Sequence, residues 1–160
     1  VQLREKSLAP ARLAGLAERV AASCRRAGAR LMLNSAGDDA TLALAERLDA
    51  GLHLTSAALA RLVRRPAVPW LAASCHDAGE LARAAELEAD FVVLGPVRPT
   101  ASHPGAPTLG WPAFAALIAD YPLPVFALGG LAAADLDAAR RARGPGQLHH
   151  GRDGHGLQPV

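Results

Sequence analysis

Short apolar runs alternate with longer alanine-rich stretches along most of this chain. The runs carry apolar residues at consecutive positions, which is typical of strands covered on both faces of a sheet. The longer stretches repeat their apolar residues with helical spacing, between residues that commonly cap helices. The pattern predicts strands over 1–5, 30–34, 51–54, 70–74, 91–94 and 124–128, and helices over 10–27, 39–48, 56–64, 77–88, 111–120 and 132–143.

Six strand–helix units in this order predict a parallel sheet with crossover helices. Two architectures fit, an open doubly wound sheet and a (β/α)8 barrel. A GxGxxG motif follows none of the runs, and Gly129-Gly130 alone is too weak to indicate a dinucleotide site. The active site of a barrel forms at the carboxyl ends of its strands. Polar residues near the ends of these runs are Lys6, Asn34, His53, Ser74, His76 and Thr100.

Composition and charge exclude several classes of protein. The 160 residues are 51% hydrophobic and 20% charged, with a net charge of +2, which is typical of one globular domain and too small an excess for nucleic-acid binding. No apolar run reaches the roughly 20 residues that span a bilayer, and no signal peptide is visible. Cys24 and Cys75 form no metal motif and suit a reducing compartment. We expect a cytoplasmic protein that binds neither nucleic acid nor membrane.

Three long polar side chains alternate along the first strand. Gln2, Arg4 and Lys6 are two residues apart, so they share one face of the strand. Polar side chains on a buried strand are costly unless they face a solvated or ligand-filled site. The residues therefore indicate a binding site, and the alternative is an edge strand with solvated charges.

The fourth apolar run ends in the sequence Ser74-Cys75-His76. Ser74 could hold a phosphate or cap the next helix. His76 could exchange protons with a substrate, because the pKa of a histidine is ordinarily near neutrality. A Ser/His/Asp triad is not implied, since Asp77 is better placed as a helix cap. Nothing in the sequence indicates that Cys75 is a nucleophile. Asn34 could bind the edge of a heterocycle or close its own loop.

A long loop and a glycine pair indicate phosphate binding. The loop over 95–110 separates a predicted strand from a predicted helix, and loops of this length are often functional. Backbone N–H groups of consecutive glycines can approach an anion closely. The candidate phosphate-binding residues are Thr100, Ser102 and His103 in the loop and Gly129 and Gly130 after the last strand.

The periodic pattern ends near residue 142. We expect one α/β domain over 1–142 and an irregular tail over 143–160. Three of the six histidines lie in the tail, at positions 149, 150 and 155. Their irregular spacing favours a disordered tail over a metal site.

Several motifs together resemble the thiamine phosphate synthase/TenI family. In chain order they are VQLREK, LxLN, GLHL, ASCH, DFVVLGPVRPTASHPGAPTLGW and LPVFALGGL, and they extend to about residue 139. The resemblance implies a (β/α)8 barrel. The synthases of this family join hydroxymethylpyrimidine diphosphate to thiazole phosphate with release of diphosphate and with magnesium. TenI-type members isomerise a thiazole phosphate instead.

The resemblance also implies roles for individual residues. Those that resemble pyrimidine diphosphate contacts are Gln2, Arg4, Lys6, Asn34 and Ser74. Those that resemble thiazole phosphate contacts are Thr100, Ser102, Gly129 and Gly130. His103 stands where the loop of the family usually has a lysine. His76 resembles the acid–base histidine of TenI.

Two positions depart from the synthase pattern. Ser35 and Ala58 stand where synthases usually have aspartates, and magnesium prefers carboxylate oxygens. Magnesium, which the family implies, is therefore in doubt here. The departures leave two alternatives to a synthase: a TenI-like tautomerase that uses His76, or a phosphate-binding domain without activity.

The resemblance covers about six of eight barrel units, without the first and the last. We expect the chain to be part of a longer barrel, with a frameshift or a truncated gene model beginning near residue 142. The motifs are also similar to the synthase-like domain fused to Nudix hydrolases in some bacteria, so association with a Nudix domain is a further expectation. A homo-oligomer could cover the open strand edges.

Overall fold

The computed structural model describes residues 1–5, 7–101, 105 and 107–142. Its strands are β1 (Gln2–Leu3), β2 (Met32–Ser35), β3 (Gly51–Leu54), β4 (Leu71–Cys75), β5 (Phe91–Leu94) and β6 (Val125–Ala127). Its helices are α1 (Pro10–Arg26), α2 (Asp39–Leu48), α3 (Ser56–Arg61), α4 (Ala78–Glu86), α5 (Gly110–Ile118) and α6 (Leu136–Ala142), the last preceded by a 3-10 turn over Ala133–Asp135. The predicted tail over 143–160 lies outside the described residues.

The six strands form one sheet in the order β1-β2-β3-β4-β5-β6, and every neighbouring pair is parallel. A doubly wound sheet would reverse its strand order at a switch point. Strand order here follows chain order throughout the described residues, and the sheet curls into a half-barrel. The structure therefore confirms the barrel-type expectation and its six units.

One face of the sheet packs against the helices. Leu33, Leu52, Leu71, Val92 and Val125 are buried in a single apolar core with residues of the helices. Because side chains alternate along a strand, residues such as Asn34, His53 and Ser74 lie on the other face. The helices thus cover the outer face of the half-barrel and leave polar groups on its inner face.

Side-chain caps start three of the helices at the carboxyl ends of strands. Asp38 accepts a hydrogen bond from the backbone of Thr41, and Asp77 accepts one from the backbone of Glu80. Thr55 accepts the equivalent bond from the backbone of Ala58. These caps satisfy backbone donors that have no partner in the helix. The predicted cap of α4, Asp77, is confirmed.

Several predicted strands and helices begin or end at a different residue in the structure. Strand β1 has two residues instead of five, because only Gln2 and Leu3 pair with β2. Helix α3 ends at Arg61 instead of residue 64, because the backbone of Leu62 is already extended, with a ψ of 127°. None of the described helices is both long and apolar enough to cross a membrane.

Candidate active site at the carboxyl edge of the sheet

Polar side chains from three neighbouring strands meet on the inner face of the half-barrel. Asn34 lies opposite His53 in the β2–β3 register. The Nε2 atom of His53 lies 2.9 Å from the hydroxyl oxygen of Ser74 in β4. We call these three residues, together with Arg4, the polar row. The structure therefore brings Asn34 and Ser74 to one edge of the sheet, as the sequence predicts.

Arg4 extends the polar row toward β1. It follows β1 and shares the inner face with Gln2, which pairs with Met32 of β2. Burial lowers the pKa of His53, and the positive charge of Arg4 lowers it further. The row thus combines a permanent cation with an imidazole that is neutral at neutral pH, a hydroxyl and an amide. These groups suit a polar, anionic ligand.

The low pKa of His53 predicts a loss of stability in acid. In the unfolded chain, His53 takes up a proton with the ordinary histidine pKa of 6.5. In the folded chain the pKa is lower, so the proton is taken up only at a lower pH. The free energy of unfolding should therefore fall as the pH decreases below about 6.5. His53→Gln should lose less of its free energy of unfolding between pH 7.5 and 5.5, measured by urea denaturation. Equal losses in the two proteins would contradict the assigned environment.

His76 lies beyond the row, directly after β4. Its side chain is 52% exposed, and its Nδ1 atom lies 2.8 Å from Oε2 of Glu80. The same oxygen accepts a hydrogen bond from the backbone nitrogen of His76 at 2.7 Å. Asp77 instead caps α4, as predicted, so the carboxylate partner of His76 is Glu80. A half-exposed imidazole held by a carboxylate can exchange protons with a ligand.

Cys75 is an inert thiol. It is 1% exposed and points into the core between the sheet and the helices. Burial raises its pKa to about 12, and the charges of Glu80 and Asp77 contribute. A nucleophilic cysteine requires the opposite shift. This agrees with the absence of any nucleophile signal in the sequence.

We expect the native protein to resist thiol reagents. Both cysteines are buried, Cys24 at 6% and Cys75 at 1% exposure. Ellman's reagent at pH 8 should modify neither thiol while the protein is folded and both thiols in denaturant. A thiol that reacts in the native protein as fast as free cysteine would contradict this burial.

The loop after β5 packs tightly on the glycine pair. The backbone nitrogen of Arg98 donates to the carbonyl of Gly129 at 3.0 Å. A Cβ atom at Gly129 would lie 2.5 Å from Cβ of Pro96, and one at Gly130 would collide with the carbonyl oxygen of Pro99. Packing therefore explains why both positions are glycine. Contact of these glycines with a phosphate stays a prediction.

Other predicted loop residues are only partly placed. Thr100 follows Pro99, so it lies in the part of the loop that packs near the glycine pair. The predicted residues Lys6, Ser102 and His103 lie outside the described residues. Contacts of all four with a ligand remain predictions.

The residues present do not fit a magnesium site. The hydroxyl oxygen of Ser35 accepts a hydrogen bond from the backbone nitrogen of Gly37 at 2.9 Å, and Ala58 is fully buried beside Gly37. The guanidinium of Arg61 donates to the carbonyl of Ala36 in the same place. Across the described part of the chain, no group of three or more His, Cys, Asp or Glu side chains could hold a metal ion. Magnesium prefers oxygen ligands. The side chains here are instead the positively charged guanidinium of Arg61 and the methyl group of Ala58.

The sequence analysis missed Glu80 and noted His53 only as a polar residue near the end of a run, without a role. His53 interrupts the apolar run GLHL, and a polar residue inside a buried strand signals an inner-face position. Glu80 is four residues after His76, which is the spacing of neighbours on a helix start. Only the structure shows that His53 contacts Ser74 and that Glu80 contacts His76.

A curled parallel sheet with a cation, an amide and a hydroxyl at the carboxyl ends of its strands defines a barrel-type protein whose candidate site suits an anionic ligand. The thiamine monophosphate synthase (TMP-TENI) family model matches residues 1–145. The chain therefore belongs to this family.

Three comparisons illustrate the similarity. A Geobacter sulfurreducens protein that carries a thiamine-phosphate synthase name is 38% identical over 91% of this chain and 68% of its own length. The thiamine-phosphate synthase of Thiobacillus denitrificans is 36% identical over 84% of this chain and 64% of its own length. Thiamine phosphate pyrophosphorylase from Pyrococcus furiosus has the same fold, with a TM-score of 0.68 and 20% identity over 88% of this chain and 67% of that protein.

The chain spans about two thirds of these relatives. In the thiamine-phosphate synthase of Parasynechococcus marenigrum, which is 37% identical over 86% of this chain, the share is 39%. The family and the fold follow from the comparisons.

Proposed function

We propose that this chain acts in thiamine biosynthesis as a thiamine phosphate synthase, joining a pyrimidine diphosphate to a thiazole phosphate. The polar row is the observation that carries the proposal. It places Arg4, Asn34, His53 and Ser74 at one edge of the sheet, where barrel enzymes bind substrates. Membership in the synthase family supports the same reaction.

The chemistry requires a stabilised leaving group. The ring nitrogen of the thiazole attacks the methylene carbon of the pyrimidine while the bond from that carbon to diphosphate breaks. Negative charge develops on the departing diphosphate, and preorganised donors lower the energy of such charge. Arg4 supplies a permanent cation, and Ser74, whose hydroxyl oxygen lies 2.9 Å from Nε2 of His53, supplies a hydroxyl that can donate. The amide of Asn34 can bind the edge of the pyrimidine.

A second function is favoured by a different observation. Ser35 and Ala58 stand at the two positions where synthases usually have aspartates. In addition, the side chain of His76 is hydrogen-bonded to the carboxylate of Glu80. Tautomerisation of a thiazole phosphate needs a proton-transfer group and no departing diphosphate. These features support a tautomerase that uses His76.

A coupled assay tests the proposed synthase. The purified 160-residue chain is incubated with the pyrimidine diphosphate and thiazole phosphate, and thiamine phosphate is measured after oxidation to its fluorescent product. Arg4→Ala and Ser74→Ala should each lower kcat/KM by about 10- to 100-fold, the cost of a hydrogen bond to a charged group. Arg25→Ala is the matched control, because Arg25 is an exposed arginine in the last turn of α1, at the end of that helix remote from the carboxyl edge of the sheet.

The outcomes separate the candidates. No product at high enzyme concentration would reject the synthase. Isomerisation of thiazole phosphate that is lost in His76→Ala would then support the tautomerase. Binding of the phosphates by calorimetry without either reaction would indicate a binding domain.

We also infer where the protein acts and with what. Two buried, unpaired cysteines in the described structure are consistent with a reducing cytoplasm. The proposed partners are the small pyrimidine and thiazole phosphates. Fusion occurs among the relatives, since one is a bifunctional ThiM/ThiE protein of Symbiobacterium thermophilum. Association with a Nudix domain and pairing of two copies through the open edges of β1 and β6 remain proposals. A barrel domain that ends near residue 142 also remains a proposal.

A further inference from the structure

Glu80 lies in the first turn of α4, and its carboxylate contacts two residues, Ser56 at the start of α3 and His76 after β4. Oε2 accepts hydrogen bonds from the backbone nitrogen of His76 at 2.7 Å and from its Nδ1 atom at 2.8 Å. Oε1 accepts a hydrogen bond from the hydroxyl of Ser56, the first residue of α3. The side chain is 24% exposed. One carboxylate is therefore held from both sides, by the first residue of α3 and by the residue that follows β4.

This contact selects one tautomer of His76. A carboxylate accepts hydrogen bonds and donates none, so the imidazole nitrogen that meets it must carry the proton. That nitrogen is Nδ1. In the neutral ring, the lone pair is then on Nε2. The ring is half-exposed beside the carboxyl end of β4, where a ligand on the polar row would lie.

We propose that Glu80 is a positioning residue that fixes the Nδ1–H tautomer of His76, so that Nε2 exchanges the proton with a thiazole phosphate. The proposal rests on the second proposed function, the tautomerase that uses His76. Nε2 takes a proton as one bond to hydrogen breaks in the substrate, and it returns that proton as another bond to hydrogen forms. The isomerisation leaves the protein and the total number of protons unchanged.

A purely structural role is the alternative. A carboxylate in the first turn of a helix is favourable because of the helix dipole. Asp77 already supplies the side-chain cap of α4, however, by accepting the backbone N–H of Glu80 at 2.9 Å. The contacts of Glu80 are instead made to His76 and Ser56. A structural role would not depend on the tautomer of His76, and this difference can be measured.

The first experiment measures the tautomer without substrate. The nitrogen chemical shifts of the His76 side chain, recorded by NMR on the full chain above pH 8, distinguish Nδ1–H from Nε2–H. The native protein should show mainly Nδ1–H, and Glu80→Ala should show mainly Nε2–H. Glu80→Gln keeps an oxygen acceptor of the same reach and should restore Nδ1–H. A native protein with mainly Nε2–H would overturn the proposal, even if every variant failed to fold.

The second experiment measures turnover of the thiazole phosphate. Glu80→Ala should lower kcat by at least about tenfold while KM changes little, because orientation is lost and binding is not. Glu80→Gln should recover most of the turnover. Glu86→Ala is the matched control: it removes an equal charge from the same helix, at a residue that is paired with Arg83 and 65% exposed.

The two experiments test different parts of the proposal, so a negative result in one can be distinguished from a negative result in the other. A tautomer that does not change in Glu80→Ala overturns the positioning role. A changed tautomer with unchanged kcat also overturns it. A chain that shows the expected tautomers but isomerises no thiazole phosphate rejects the tautomerase, the second proposed function, and with it the role of Nε2 in turnover, while the contact of Glu80 with His76 stands.

Discussion

Gly130→Ala should lower the free energy of unfolding by about 3 kcal/mol or more. Two costs add at this position. Gly130 has a φ of +63°, a backbone conformation that alanine adopts only with strain. The new Cβ atom would also collide with the carbonyl oxygen of Pro99 and lie 2.9 Å from that of Arg98. Both are backbone atoms, so the loop after β5 would have to move away from β6.

Gly28→Ala separates these two costs. Gly28 has nearly the same φ, +62°, but a Cβ atom there would meet nothing within 4 Å. It should therefore cost only the strain of the left-handed backbone, about 1 kcal/mol. Urea denaturation of both variants gives the steric part as the difference. Equal losses in the two variants would show that the loop does not pack on Gly130 as described.

This result also bears on the phosphate-binding prediction. If Gly130→Ala disturbs the loop, a loss of activity in that variant says nothing about contact with a phosphate. Thr100 is the better probe of that contact, because it lies in the same loop and its substitution by valine keeps its shape. A weaker affinity for thiazole phosphate in Thr100→Val would support the predicted contact.

Phe114→Ala should be comparably destabilising, by roughly 3–5 kcal/mol. Phe114 is 2% exposed and meets Trp111 edge to face, with ring centroids 5.7 Å apart. It packs α5 into the core below β6 and borders a cleft of about 320 Å³ that extends toward α6. Alanine would leave the apolar space of a phenyl group next to this cleft, and surrounding side chains close such a space only in part.

Leu128→Ala is the matched control for this prediction. Leu128 follows β6 but is 59% exposed, so its truncation should cost less than about 1 kcal/mol. Thermal or urea denaturation of both variants measures the difference. A similar, small loss in Phe114→Ala would mean that the end of the sheet at β6 contributes little to stability.

The elements were predictable where sequence signals were local. Strands β3 and β5 have the predicted bounds, because each is a short apolar run between polar or turn residues. Helix α2 also has its predicted bounds, with Asp38 as its cap. Boundaries failed at β1 and α3, where pairing with one neighbour and the backbone of Leu62 decided the ends. A sequence carries no direct signal for either.

The site was predictable in part for the same reason. Asn34 and Ser74 end apolar runs, and parallel strands bring such ends together at one edge. The contact between His53 and Ser74 spans 21 residues of sequence and depends on the curl and register of the sheet. The contact of Glu80 with Ser56 spans 24 residues and depends on how the first turns of α3 and α4 lie beside each other.

The sequence alone determined the class of fold, the order of its units and the family, because apolar periodicity, caps and the ordered motifs are local properties of the chain. The tertiary structure decided which polar groups touch. It made His53 a neutral partner of Ser74 through burial and the charge of Arg4, and it raised the pKa of Cys75 through burial. It also showed that loop packing requires the glycine pair and that Glu80 holds His76. Desolvation and contact are properties of the folded molecule, so no run of residues reveals them.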